Sequence, residues 1–146
     1  MNFDEIKRLR NMDSPFDNHI GVRITDIAEG YARAELPLKP EHYNAIGSVH
    51  GGCLFALADS VAGAASLSTG YHATTMDASF YYMRPAIGKT RLIGEARELK
   101  RGQRVFLYRV TIRDQDGNLL SEGTFSYMTL GKRLDLQGQE ARHETN

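Results

Sequence analysis

Between Glu41 and Asp77 the chain carries one formally charged side chain, Asp59. It stands inside Gly51-Gly52-Cys53-Leu54-Phe55-Ala56-Leu57-Ala58-Asp59-Ser60-Val61-Ala62-Gly63-Ala64-Ala65, which reads as a buried helix. A carboxylate taken out of water without a partner costs several kcal/mol, so a chain keeps one for a structural pairing or for chemistry. Just upstream, Asn44-Ala45-Ile46-Gly47-Ser48-Val49-His50-Gly51-Gly52 brings polar side chains and glycines to the start of the same helix. The first free N–H groups of a helix, backed by its dipole, favour negative charge. Gly51 and Gly52 let a ligand come close to that backbone. The acid and this helix start together point to an active site.

These residues need a scaffold, and the remaining sequence supplies one. Phe3 to Met12, with Phe3, Ile6 and Leu9 at three-residue spacing, predicts a short amphipathic helix. Asp13-Ser14-Pro15-Phe16-Asp17 reads as a turn. Ile20, Val22 and Ile24 alternate, as do Ala32, Ala34 and Leu36, which predicts a β-hairpin about Glu29-Gly30. Pro37 and Pro40 break the sheet before the Asn44–Gly52 loop. The apolar helix is expected from about Gly51 to Ser68, with Gly70 as its C-cap. Met76, Ala78, Phe80 and Tyr82 then alternate with Thr75, Asp77, Ser79 and Tyr81, a long strand closed by Arg84-Pro85. Strands follow over Leu92–Leu99, Val105–Arg113 and Leu119–Leu130, the last two joined by the hairpin turn Asp114-Gln115-Asp116-Gly117-Asn118. Residues 131–146 read as a polar, frayed or disordered tail after a single domain over 1–130. A helix apolar on nearly all sides requires a sheet that wraps it, or a second subunit over what the sheet leaves open.

Composition narrows the field. At 146 residues the chain fits one domain with a real core, and its 41% apolar and 25% charged residues are ordinary for a soluble globular protein. A formal net charge of zero gives no global field toward nucleic acid or an anionic membrane. One cysteine excludes an intrachain disulfide and a cysteine-based zinc cluster. His19, His42, His72 and His143 have no metal-ligand spacing, so neither a metal nor another cofactor is expected. Met1–Arg10 lacks the apolar core of a signal peptide, and Asp59 with the interspersed Ser, Thr and Gly disfavours a membrane span for the central run. The expectation is a cytoplasmic protein.

The pattern closely resembles the hot-dog fold, an α+β architecture in which an antiparallel sheet curls around a central helix. Within it the chain is similar to the PaaI-type acyl-CoA thioesterases. Asn44, Gly47, Val49-His50-Gly51-Gly52, Leu57-Ala58-Asp59 and Tyr82-Met83-Arg84-Pro85 carry the resemblance, which covers roughly residues 21–130. Thr75 stands where several relatives carry Ser. The resemblance implies hydrolysis of a thioester to a carboxylic acid and free coenzyme A. The Gly51 N–H is then the oxyanion donor, and Asn44 orients the thioester or adds a donor. His50 holds the loop or assists thiolate departure, and Thr75 holds the attacking water. Asp59 serves as general base, or as a nucleophile giving a mixed anhydride. Coenzyme A phosphates call for local basic groups, for which Arg84, Lys100, Arg101 and Arg104 are candidates, with Gly52 beside the ligand.

Spacing adds a point of its own. Gly51 and Asp59 stand eight residues apart, about 12 Å of helical rise. Both must lie within roughly 3 Å of one reacting carbonyl and its water. Two antiparallel helices of a two-fold dimer satisfy this where one helix does not. Shared sites in a homodimer follow, and the resemblance adds a dimer of dimers. Other readings stand beside this one. Asp59 could be a buried structural acid, Cys53 a small core residue or a nucleophile, and Tyr81-Tyr82 sheet packing or pocket lining. At the level of the whole protein, the alternatives are a non-catalytic acyl-CoA-binding hot-dog protein and a hydratase or dehydratase pairing His50 with Asp59.

Overall fold

The structure, a computed structural model, describes residues 1–144, with the side chains of Glu140, His143 and Glu144 excepted. The end of the expected tail, residues 145–146, and the His143 side chain lie outside the described residues.

Helix α1 (Phe3–Met12) starts where the Asn2 side chain accepts from the Glu5 N–H, and it buries Ile6 and Leu9. The stretch expected to be only a turn instead opens α2 (Pro15–Ile20). Proline at the first helical position brings a pre-set φ and no wasted N–H, so a turn signal became a helix start. The antiparallel hairpin β1 (Arg23–Ala28) and β2 (Tyr31–Pro37) follows as the alternation indicated. After a 3₁₀ turn (Pro40–His42) the chain enters α3 (Gly51–Ser66), which tightens into a second 3₁₀ turn (Leu67–Thr69) and ends at Gly70 with φ 85°. Strands β3 (Tyr71–Tyr82), β4 (Arg91–Arg101), β5 (Val105–Asp114) and β6 (Leu119–Arg133) complete one six-stranded sheet. Its order is β1-β2-β4-β5-β6-β3, with every neighbour antiparallel.

All six strands touch α3, the sheet-around-helix arrangement of the hot-dog fold. Leu57, Ala58, Val61, Ala62, Ala64 and Ala65 on the helix are fully buried against Leu36, Leu92, Tyr108, Val110, Ile112 and Phe125 from the sheet. The helical stretch Gly51–Thr69 has the length and hydropathy of a membrane span, yet most of it lies inside this core. One stripe stays partly open, formed by Gly52, Cys53, Ala56, Asp59 and Gly63. Asp59 is therefore half-buried in the single chain.

Two departures from the sequence reading bear on function. The β3 ladder slips between Thr75, opposite Tyr127, and Asp77, opposite Ser126, which leaves Met76 as a bulge at 53% exposure. A single inserted residue reverses the facing of everything beyond it. Thr75 accordingly turns toward α3, on the same side as Ala78 and Phe80, rather than on the opposite face as simple alternation predicts. The tail expected to be frayed extends β6 to Arg133 and forms α4 (Leu136–Glu144), with Leu134 and Leu136 packed on the core. Those two leucines give a polar segment the apolar anchors it needs to dock.

The sheet's two edges differ. On β1 the Asn11 amide of α1 donates to the Ile24 carbonyl and accepts the Ile24 N–H, both at 2.9 Å, so a side chain occupies that edge. Along β3 no strand pairs with the outer edge among the described residues.

Candidate active site

The loop leading into α3 is braced from within. Asn44 Oδ1 accepts the N–H groups of Ile46 and Ser48, both at 3.1 Å, and its Nδ2 donates to Ser48 Oγ at 2.9 Å. Its main chain also receives Gly47 N–H, and Asn44 N–H reaches the Ser48 carbonyl. Asn44 thus spends most of its hydrogen-bonding capacity on the loop and keeps one amide hydrogen.

His50 is the N-cap of α3. Its Nδ1 accepts the Gly52 N–H at 2.8 Å, which places the ring proton on Nε2 in the neutral form. A Cβ at position 52 would sit 2.9 Å from Nδ1, so glycine is what lets the ring fold back onto the backbone. The other amides at this end are also spent: His50 N–H donates to the His42 carbonyl, and Cys53 and Leu54 donate to the His50 carbonyl. Only the Gly51 N–H is left without a partner among the described residues. Tyr82 OH donates to the Gly51 carbonyl at 3.0 Å, and its ring lies against Gly51, where a Cβ would come within 3.3 Å. Asn44, Gly51, Leu54, Tyr82 and Arg84 are among the residues around a cleft of about 330 Å³. One helix end thus offers a free donor on a surface open to a ligand.

Farther along α3, Asp59 Oδ1 accepts two hydroxyl donors, Thr75 Oγ1 at 2.7 Å and Tyr127 OH at 2.6 Å. Tyr127 OH is also 2.6 Å from the Asp59 main-chain oxygen. Asp59 Oδ2 has no partner among the described residues. Burial, reinforced by the adjacent Asp59 charge, pushes the Tyr127 phenol far above its ordinary range, so it stays a donor. The next residue, Ser60, donates to Asp17 Oδ1 at 2.6 Å, and Arg10 pairs with Asp17 Oδ2 at 2.7 Å. That buried ion pair pins α1 and α2 onto α3.

The structure therefore gathers Asn44, His50, Gly51, Gly52 and Arg84 at the helix start, and Asp59 with Thr75 one segment on. It does not bring the two groups together within one chain, because α3 runs unbroken between them over about 12 Å. Arg101 is taken up by Glu29 at 2.6 Å and Glu98 at 2.8 Å. It and Arg104 border a hollow with Thr69, Tyr71 and Thr129, by the C-terminal end of α3 rather than the Gly51 cleft. Burial lifts the Cys53 thiol to about 11, which leaves almost no thiolate near neutral pH and fits a packing role. His42 is held as a structural residue, with Nε2 2.6 Å from the Ile20 carbonyl and Nδ1 accepting Lys39 N–H. The residue that sequence reasoning missed is Tyr127. Its available signal was a tyrosine at an inward position of β6, since a buried phenol needs a hydrogen-bond partner.

Comparison with known proteins places these observations. The family model of the thioesterase superfamily matches residues 46–121. Acyl-coenzyme A thioesterase 13 of Homo sapiens is 30% identical over 112 residues, 74% of this chain and 80% of its own. A candidate esterase of Archaeoglobus fulgidus is 36% identical over 107 residues, 72% of this chain and 70% of its own. Among solved structures, the PaaI protein of the E. coli phenylacetic acid degradation operon superposes with a TM-score of 0.81 at 21% identity, covering 89% of this chain and 99% of that one. A Streptococcus mutans protein bound to acetyl CoA superposes with a TM-score of 0.73 at 26% identity, over 77% and 91% of the two chains. With sequence match, relatives and fold in agreement, the chain belongs to the thioesterase superfamily.

Proposed function

We propose that this protein hydrolyses an acyl-CoA thioester to a carboxylic acid and free coenzyme A, in sites shared between two copies of the chain. The observation that carries the reading is the division of labour on α3. Among the described residues one uncommitted amide, Gly51 N–H, stands at the helix start, and one uncommitted carboxylate oxygen, Asp59 Oδ2, stands farther along. A two-fold axis that sets two α3 helices antiparallel brings each amide to the other copy's carboxylate. The unpaired outer edge of β3 supports an association on that side of the sheet. The naming of a human relative as an acyl-CoA thioesterase and the acetyl-CoA-bound neighbour support the substrate class.

In this arrangement the thioester carbonyl oxygen lies against Gly51 N–H. Water adds to the carbon while Asp59 Oδ2 takes its proton, and the oxyanion is stabilised by the helix start. Collapse breaks the C–S bond, and the proton held by Asp59 passes to the departing thiolate. Direct attack by Oδ2 would use the same oxygen: a mixed anhydride forms as the C–S bond breaks and the thiolate leaves, and water then hydrolyses the anhydride to the free acid and the Asp59 carboxylate. Arg84, on the cleft wall without an ion pair among the described residues, is placed to meet a coenzyme A phosphate.

The test is thiol release from a panel of short, long and aromatic acyl-CoAs by wild type, Asp59→Asn and Asp59→Ala. General acid–base groups contribute about 10²–10⁴-fold, so the variants are expected to lose at least a hundredfold in kcat. Release that both variants retain would overturn the role of Asp59. Binding without turnover by wild type would make the protein an acyl-CoA binder, and hydration of an enoyl-CoA without thiol release a hydratase. Mixing Asp59→Ala with Gly51→Pro subunits tests sharing. Proline is tolerated at the first helical position but removes the N–H, so recovered activity in the mixed dimer is expected and its absence refutes the shared site.

A further inference from the structure

We infer that Tyr127 is a positioning residue for Asp59: with Thr75 it occupies Oδ1 and leaves Oδ2 as the carboxylate oxygen that reacts. The inference deepens the proposed hydrolysis and rests on it for its catalytic meaning.

Tyr127 is 3% exposed on β6, and its ring lies edge-on to Tyr108 from β5 at 6.0 Å between centroids. Its single O–H faces two acceptors at 2.6 Å, the Asp59 main-chain oxygen and Oδ1. The carboxylate is the stronger acceptor because it is charged. Thr75 reaches the same Oδ1 from β3, and it can do so because the Met76 bulge turns it toward α3. Two donors from two strands fix the carboxylate's rotation about χ2, a torsion otherwise broad for aspartate. They also concentrate hydrogen bonding on one oxygen and leave the other for water or the thioester carbon. Thr75 is therefore assigned here to hold the acid, where the sequence reading gave it the water.

The charged and titratable groups around the pair are few. Arg10 from α1 acts on Tyr127 from a distance and is already matched by Asp17 of α2 at 2.7 Å. Asp13 and His72 border the hollow beyond Gly63, whose added Cβ would lie 3.6 Å from Tyr127 OH. The hydrogen bond from the phenol is the direct contact that a single-atom deletion removes.

Tyr127→Phe is the test, because it keeps the ring against Tyr108 and deletes one oxygen. With aspartate 13C-labelled at the carboxyl carbon, the Asp59 carboxyl resonance at one fixed pH is expected to move in Tyr127→Phe, because a hydrogen bond to that group is gone. The kcat should fall about 10- to 100-fold with KM little changed. Thr75→Val is expected to move the same resonance. Should Tyr127→Phe not fold, 3-fluorotyrosine at position 127, a stronger donor, should move it the opposite way. An Asp59 resonance unmoved in whichever folded variant is measured overturns the inference. If wild type releases no thiol from any acyl-CoA, the hydrolytic reading fails by itself. The Asp59 resonance still decides whether Tyr127 holds the carboxylate.

Discussion

His50 offers a way to separate a structural contact from a chemical one at the same residue. Its Nδ1 accepts the Gly52 N–H at 2.8 Å and closes the N-terminus of α3. Replacing an N-cap acceptor by alanine costs about 0.5–2 kcal/mol, whereas asparagine is among the best N-caps. His50→Ala is therefore expected to lose about 1 kcal/mol and His50→Asn nearly none. With a urea slope of about 1–3 kcal/mol per molar, the alanine midpoint should drop by about 0.3–1 M. Wild type and variants are compared at one protein concentration, because association adds to apparent stability. The same preparations are assayed for thiol release. If capping is the whole role, His50→Asn keeps kcat/KM within a few-fold, and His50→Ala loses activity along with stability as the Gly51 amide loses its setting. If His50→Asn is stable but loses more than about a hundredfold, the ring does chemistry through Nε2, a size typical of a general acid. An alanine variant with the wild-type midpoint, or an asparagine variant as unstable as alanine, would refute the capping argument.

Three further outcomes are expected. Thr75→Val should lower kcat about 10- to 100-fold, while Thr75→Ser, which keeps the hydroxyl on Asp59 Oδ1, should stay near wild type; equal rates for both would remove Thr75 from the site. Buried Asp114 receives Lys89 Nζ at 2.8 Å and the side chain and N–H of Asn118, and this ion pair, led by Lys89, holds its carboxyl well below the usual carboxylate range. A carboxyl with a depressed folded pKa stabilises above its unfolded value of about 4 and loses that contribution as pH falls. The Tm gap between wild type and Asp114→Asn should thus be constant above about pH 5 and narrow below about pH 4, and a gap independent of pH would count against the pairing. Phe125 is fully buried between Phe55 and Phe80, so Phe125→Ala should cost about 3–5 kcal/mol in chemical unfolding; a loss below about 1 kcal/mol would mean the aromatic cluster is not packed as described.

The scaffold was readable because its signals are periodic. The run from His42 to Met76, with Asp59 as its one formal charge, marks the helix around which everything else is arranged, and β4, β5 and β6 followed from alternation and the Asp114–Asn118 turn. The bulge at Met76 was not readable, because Thr75 and Asp77 are both polar and alternation fits either facing. Helix α2 hid behind Ser14-Pro15, which serves as a turn or as a helix start depending on what buries Asp17. At the site, the residue types at Asn44, His50, Gly51 and Asp59 drew notice, but their partners come from distant segments. Tyr127 lies 68 residues from Asp59 and Tyr82 31 residues from Gly51, separations that only the folded sheet closes. Arg101 looked available as a cation because nothing local shows that Glu29, in the β1–β2 turn, lies beside the end of β4.

Asn11 has a consequence for assembly. Strand edges are templates, and a sheet with two bare edges can add copies without limit. Here one edge is already occupied, since the Asn11 amide makes with Ile24 the two bonds a neighbouring strand would have made. A protein with one adhesive edge behaves as a monofunctional monomer: the first union through it leaves nothing to propagate. A single amide on α1 thus acts as a chain terminator on that edge, and Asn11→Ala would expose the Ile24 N–H and carbonyl as a second place for strand addition.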